Sequence, residues 1–321
     1  MAEQTTPGHE PYYVPERSKL AIMAALGLFL SVFGAATFIN SNSGKFSDAG
    51  GGGWLLTIGI AVFIAVLFSW FRTTIIENRA GMNSAQVRRS YVLGMQWFIF
   101  SEVMFFAVFF GSLYYVRVHV GPWLSGAGEK GVTTLLWSGF NFEWPLMQTP
   151  QEAVGGVANQ MMANNGVFTG PERNLAFPGF KEMFAWLPLW NTVILLSSSF
   201  TVHVAHHALK ADQRKKFTTW LLITVALGFI FVALQAVEYY EAYHHYGLKL
   251  SSGIYGTTFF MLTGFHGVHV IIGATMLLVQ LLRTFKGHFT AEDHFGFEAA
   301  SWYWHFVDVV WVGLFLFVYI L

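Results

Sequence analysis

The sequence predicts an all-α, polytopic membrane protein of seven transmembrane helices, from its low charge, its seven long apolar segments and the distribution of Lys and Arg between them. Only 11% of the 321 residues are charged and 54% are hydrophobic, against roughly 25% charged in an ordinary soluble domain. A bilayer core roughly 30 Å thick needs about twenty apolar residues at ~1.5 Å each, with every backbone hydrogen bond satisfied inside the segment. Lys+Arg and Asp+Glu both total 18. The chain therefore offers no basic surface to neutralise phosphates, and nucleic acid is excluded as a partner. With no cysteine, disulfides, thiolate-held iron–sulfur clusters, Cys zinc sites and thiolate copper centres are excluded; only His and carboxylate remain as ligands.

Residues 1–19 form a polar N-terminal tail holding Pro7, Pro11 and Pro15, and the apolar run after them exceeds the core of a cleaved signal. The first two spans, Leu20 to Ile39 and Trp54 to Phe71, contain no Asp, Glu, Lys or Arg and make a hairpin within residues 20–72. Their linker ends in four consecutive glycines, expected to break the helix. Residues 91–321 carry the other five spans: Tyr91 to Val116, Phe184 to Leu209, Phe217 to Ala242, Gly253 to Leu282 and Phe297 to Leu321. The sixth has neither acid nor base, and its length predicts tilt or protrusion. A long connection, residues 117–183, is read as an external loop or small cap, with Pro145, Pro150, Pro171 and Pro178 opposing long helices. No internal repeat is present, so an inverted-repeat transporter has no support.

Twelve of the eighteen Lys and Arg fall on one side of this arrangement, among them Arg72, Arg79, Arg88, Arg89, Lys210, Arg214, Arg283 and Lys286. The positive-inside rule then places the N-terminus in the cytoplasm and the C-terminus outside.

A few polar groups lie within the spans. Glu102 is roughly 16 Å into the third, so it must be neutral, paired or turned inward. A carboxyl hydrogen-bonded to a neighbouring helix is the favoured reading, and proton exchange the alternative. Glu298, Trp302, His305 and Asp308 share one face of the seventh span, expected to point into the bundle. Glu238 and Glu241 on the fifth and His266 and His269 on the sixth are spaced by three. Such stripes usually form a structural polar network of inter-helix hydrogen bonds, at about a kcal/mol or less each. The string His203-Val204-Ala205-His206-His207 matches the histidine box of membrane di-iron oxygenases, with His244 and His245 as further candidates. The two groups end opposite sides of the bilayer and cannot share an ion. A bis-His haem between His266 or His269 and His305 is the weaker metal alternative.

Five strings carry a family resemblance: Ser101 to Phe106 (SEVMFF), Ala205 to His207 (AHH), Leu234 to Ala242 (LQAVEYYEA), Tyr255 to Ile272 (YGTTFFMLTGFHGVHVII) and His294 to Trp311 (HFGFEAASWYWHFVDVVW). Together they resemble subunit III of the haem–copper cytochrome c oxidases, from about Trp70 to the C-terminus apart from the long connection.

The resemblance implies a two-helix hairpin and a five-helix bundle separated by a lipid-filled cleft. It implies a subunit of a proton-translocating oxidase that carries no redox centre itself. Haem and copper belong to partner subunits, subunits I and II are neighbours, and cytochrome c is the electron donor. It further implies protection of the catalytic subunit and support of its proton uptake and oxygen access. Trp70, Arg72, Glu77, Arg283 and His288 fall at the family's lipid-contact positions, and Glu102 at its buried, carbodiimide-reactive glutamate. Quinol oxidases have a related third subunit whose form lacks the first two helices; that assignment and, in another class, a stand-alone proton transporter are the alternatives. Three departures stand out: Phe106 to Leu113 (FAVFFGSL) lacks the family's WAFxHSSL, the connection 117–183 is several times longer than usual, and Ile76 replaces a second arginine beside Glu77.

Overall fold

A computed structural model describes residues 18–42, 51–155 and 170–321. The tail that ends in Arg17, the linker with Lys45 and part of the long connection lie outside the described residues. Among the described residues seven helices are long and apolar enough to cross a membrane: α1 Leu20–Asn42, α2 Gly52–Arg79, α3 Ala85–Tyr115, α4 Leu187–Lys210, α5 Arg214–His244, α6 Ile254–Phe285 and α7 Phe295–Leu314. Most extend beyond the apolar runs, because polar residues at a span's ends continue the backbone helix into the headgroup layer. A wider π-type turn continues α3 through Val116–Val120, and another ends the chain at Phe315–Ile320. The chain divides into two compact units, residues up to Gly94 and Met95–Leu321.

In the first unit α1 and α2 pack through glycines. A Cβ on Gly34 would lie 2.3 Å from the backbone nitrogen of Leu56, and one on Gly59 2.4 Å from that of Ser31. Without a hydrophobic effect between helices in lipid, close backbone approach supplies the attraction, and small residues permit it. The glycine run therefore does not act only as a helix breaker. Gly52 and Gly53 belong to α2, and Gly52 fits against Thr37 and Phe38 of α1.

In the second unit α4 and α5 form a tight antiparallel hairpin around Ala211–Gln213, and α6 and α7 pack against it. The core is aromatic: Tyr255, Phe259, Tyr303, Trp304, Trp311 and Tyr319 are all buried. The indole of Trp304 donates to Ser198 Oγ at 2.9 Å and that of Trp311 to Thr192 Oγ1 at 3.0 Å. Large flat rings thus fill space while their N–H groups bond across to α4, as buried Trp requires.

The described parts of the long connection, residues 117–155 and 170–183, form a cap on the ends of these helices. Arg117 donates to the carbonyls of Phe317 and Leu321 and lies over the Trp144 ring, 5.0 Å from its centroid. Phe177 N donates to Tyr319 O at 2.8 Å, and Leu175 N to Tyr255 Oη at 3.2 Å. The Glu152 carboxylate accepts from Thr149 N and Gly170 N at 2.8 and 2.9 Å, clasping two limbs of the loop. Among the described residues only short helical turns occur around its prolines.

Gly34→Ala should destabilise the first unit by about 1–3 kcal/mol through overpacking. Gly111→Ala, where a Cβ meets nothing within 4 Å, should stabilise its helix by about 0.5–1 kcal/mol. Thermal unfolding in detergent checks both, and effects of equal sign would contradict the packing.

Candidate functional site

The polar groups of α3, α5, α6 and α7 meet in three places within the second unit. At the first, Glu102 Oε2 lies 2.9 Å from His269 Nε2, bringing α3 to α6. His269 Nδ1 donates to the carbonyl of Phe265 one turn earlier, at 2.7 Å. A carbonyl can only accept, so Nδ1 carries a proton, and Nε2 either accepts from a protonated Glu102 or donates to an ionised one. In both forms the pair holds one transferable proton. Phe105, Phe106, Tyr303 and Phe306 wall the imidazole, which keeps water scarce and the bond strong. The carboxyl of α3 is thus hydrogen-bonded to a neighbouring helix.

At the second, Glu238 on α5 is 1% exposed. Its Oε1 accepts from Tyr319 Oη at 2.6 Å and from Gln235 Nε2 at 3.3 Å. Tyr319 belongs to the last turn of the chain, so the C-terminus closes over this acid, and the cap in turn closes over Tyr319 through Phe177 and Trp186. Glu241, three residues on, is only half-buried.

The third lies between α4 and α7. Ser199 Oγ and His305 Nδ1 are hydrogen-bonded at 2.7 Å, and Asp308 is buried 3.8 Å from the same nitrogen. Here the structure corrects the expectation that a whole stripe of α7 points inward. Asp308 does, but Glu298, Trp302 and His305 are half-buried. The interior face of α7 is instead its aromatic one, with Phe297, Trp304 and Trp311, because those large rings fill the space between helices and the two indole N–H groups find partners on α4.

The histidines do not converge. His266 Nε2 donates to the Val307 carbonyl at 3.2 Å, while His269 is turned to Glu102. His203, His206 and His207 end α4, and His244 and His245 lie at the far end of α5, about 45 Å of helix away. Among the described residues no three His, Asp or Glu side chains form a group that could hold a metal ion.

The residues expected at lipid-contact positions lie at helix ends. Trp70 and Arg72 are exposed and Glu77 half-buried on the last turns of α2. In the second unit Arg283 closes α6, its Nη1 donating to Gln280 Oε1 at 2.9 Å and its guanidinium lying 4.5 Å from the Phe289 ring centroid. His288 follows in the turn, half-buried.

This geometry can be set beside known proteins. The family model described as cytochrome c oxidase subunit III matches residues 10–135 and 181–321. The chain belongs to the cytochrome c oxidase subunit III family. Among its relatives, cytochrome c oxidase subunit 3 of Carassius auratus is 35% identical over 309 residues, covering 96% of both chains. That of Oncorhynchus masou is 36% identical over 310 residues, again covering 96% of both, and that of Tetraodon nigroviridis 38% over 266, covering 83% of both. The family match leaves out residues 136–180, among them Trp144, Glu152 and Phe177. Phe106 packs against His269, ring centroids 5.0 Å apart, and Phe110 on Phe317 at 6.0 Å.

Sequence reading singles out Glu102, His269 and Glu238 but not Tyr319, Gln235 or Ser199. Gln235 stands inside the LQAVEYYEA string and Ser199 in a run of three serines. Both are visible signals, whereas Tyr319 has none beyond its aromatic ring.

Tyr319→Phe should cost about 1–3 kcal/mol, because the buried carboxyl of Glu238 loses its shortest hydrogen bond. Tyr240→Phe on an exposed face should change stability by less than about 0.5 kcal/mol. Equal melting shifts for the two variants would contradict the role given to Tyr319.

Proposed function

We propose that the chain is the non-redox third subunit of an aerobic respiratory cytochrome c oxidase. It docks on subunit I, which holds haem and copper, beside subunit II, which receives electrons from cytochrome c. It binds phospholipid, stabilises the catalytic subunit and supports its proton uptake and oxygen access, with no redox centre of its own. The observation that carries this reading is that the family's strings fall on the helices whose acids and imidazoles bond to one another, as in Glu102–His269.

The membrane is a bacterial-type inner membrane or its organellar equivalent, with the N-terminus cytoplasmic and the C-terminus external. The α2–α3 and α4–α5 turns and the end of α6 carry Arg79, Arg88, Lys210, Arg214 and Arg283, and short basic connections stay inside. Trp70, Arg72, Glu77, Arg283 and His288 contact lipid headgroups there, each cation adding about 1 kcal/mol near an anionic surface. Glu102 and His269 hold a proton between helices, and Glu238, Glu241, His266, Glu298, His305 and Asp308 serve packing.

In the complete oxidase, Arg283→Ala should lower retained phospholipid and shorten active lifetime while initial turnover stays unchanged; unaltered lipid and lifetime would sink the lipid role. Glu102→Gln should give an assembled enzyme with near-normal oxygen consumption, since the amide can donate to His269 Nε2 as the acid does. Loss of turnover would make Glu102 an essential proton carrier, and stoichiometric iron or copper in the isolated chain would overturn the non-redox assignment.

A further inference from the structure

One histidine of the box on α4 meets a histidine from another helix. His206 stands one turn before the end of α4, and His294 immediately precedes α7. Their ring centroids are 5.5 Å apart, with the planes inclined at 66°. Phe297 of α7, fully buried, meets the His206 ring edge to face at 5.7 Å and holds it in place. Both histidines are half-buried, yet His206 Nε2 and His294 Nδ1 are buried atoms with no hydrogen-bond partner.

A neutral imidazole carries one N–H and one lone pair, and shutting either away from water without a partner is costly. Two such nitrogens side by side are what Zn²⁺ takes readily, at 2.0–2.1 Å each. On one tetrahedral ion with those bond lengths, the centres of two imidazoles stand roughly 5–5.5 Å apart. The observed spacing meets that requirement without movement of either helix. Among the described residues no third His, Asp or Glu joins the group, so water completes the coordination shell. Lys210, a charged neighbour of His206, opposes the ion. Affinity should therefore be about micromolar, far weaker than at a four-ligand structural site. The other two histidines of the box, His203 and His207, are exposed, with ring centroids 4.6 Å apart on the same helix, and so need no ion to satisfy them.

We propose that His206 and His294 bind one Zn²⁺ ion, which ties the last turn of α4 to the start of α7. The site is redox-inert and is argued from these two side chains alone, so it stands or falls separately from the proposed function.

The full-length chain in detergent, freed of metal by a chelator, is titrated with Zn²⁺ alone. One equivalent should bind and, at a hundredfold excess over Kd, raise Tm by about 3–8 °C. Mg²⁺, which prefers oxygen ligands, should leave Tm unchanged. His206→Gln and His294→Gln should each weaken binding by at least about tenfold and remove the shift. The double variant His203→Gln with His207→Gln should keep both. Binding that survives the first two variants and disappears in the third would assign the ion to the exposed pair and overturn the inference, as would a parent chain with no saturable binding. Should His206→Gln or His294→Gln misfold, X-ray absorption of the Zn²⁺-loaded His203→Gln, His207→Gln chain decides the matter. Two imidazoles around the ion are expected there, and one or none contradicts the site.

Discussion

The interior of a bilayer supplies no hydrogen-bond partners, and that single constraint organises the structure. Every polar group carried by α3 to α7 must find its partner on another helix, on the backbone or on a second protein. Glu102 and His269 show the first solution, at 2.9 Å between α3 and α6. His266, donating to the Val307 carbonyl, shows the second. The few ionisable residues thus specify which helices meet, while the aromatic rings of Trp304, Trp311 and Tyr303 fill the space between.

The seven spans are legible in the sequence because length and apolarity are local properties, and the bilayer fixes the length required. Their ends are less so: α2 runs on to Arg79 and α3 starts at Ala85, since polar residues continue a helix into the headgroup layer without changing its period. The glycine run reads as a break, although Gly52 is a packing surface for α1. Nothing local distinguishes a glycine that ends a helix from one that lets another helix approach. Spacing alone likewise turns the polar stripe of α7 inward. The ring-bearing face takes the interior instead, leaving His305 at its edge.

Pairing across long sequence separations is the part that cannot be read. Glu102 and His269 are both visible, yet 167 positions separate them and no periodicity links them. The same holds for Tyr319 and Glu238, joined only when the last turn of the chain folds back beneath the cap. That cap, in its described parts, includes residues 136–155 and 170–180, outside the family match, and its ties to the helices run through Arg117, Phe177 and Tyr255. It fastens the C-terminal turn whose tyrosine satisfies Glu238, so a family-specific helix core is closed by a segment the family model does not cover.

A double-mutant cycle on Glu102 and His269 tests the governing constraint most directly. Thermal unfolding of Glu102→Leu, His269→Phe and the double variant would be compared with the parent chain. If the two side chains satisfy each other in the membrane, either single change strands its partner and the double change recovers part of the loss. The coupling should then be about 0.5–2 kcal/mol. Strictly additive losses would mean that each group finds its partner elsewhere, and that mutual pairing of buried polar groups does not hold α3 to α6.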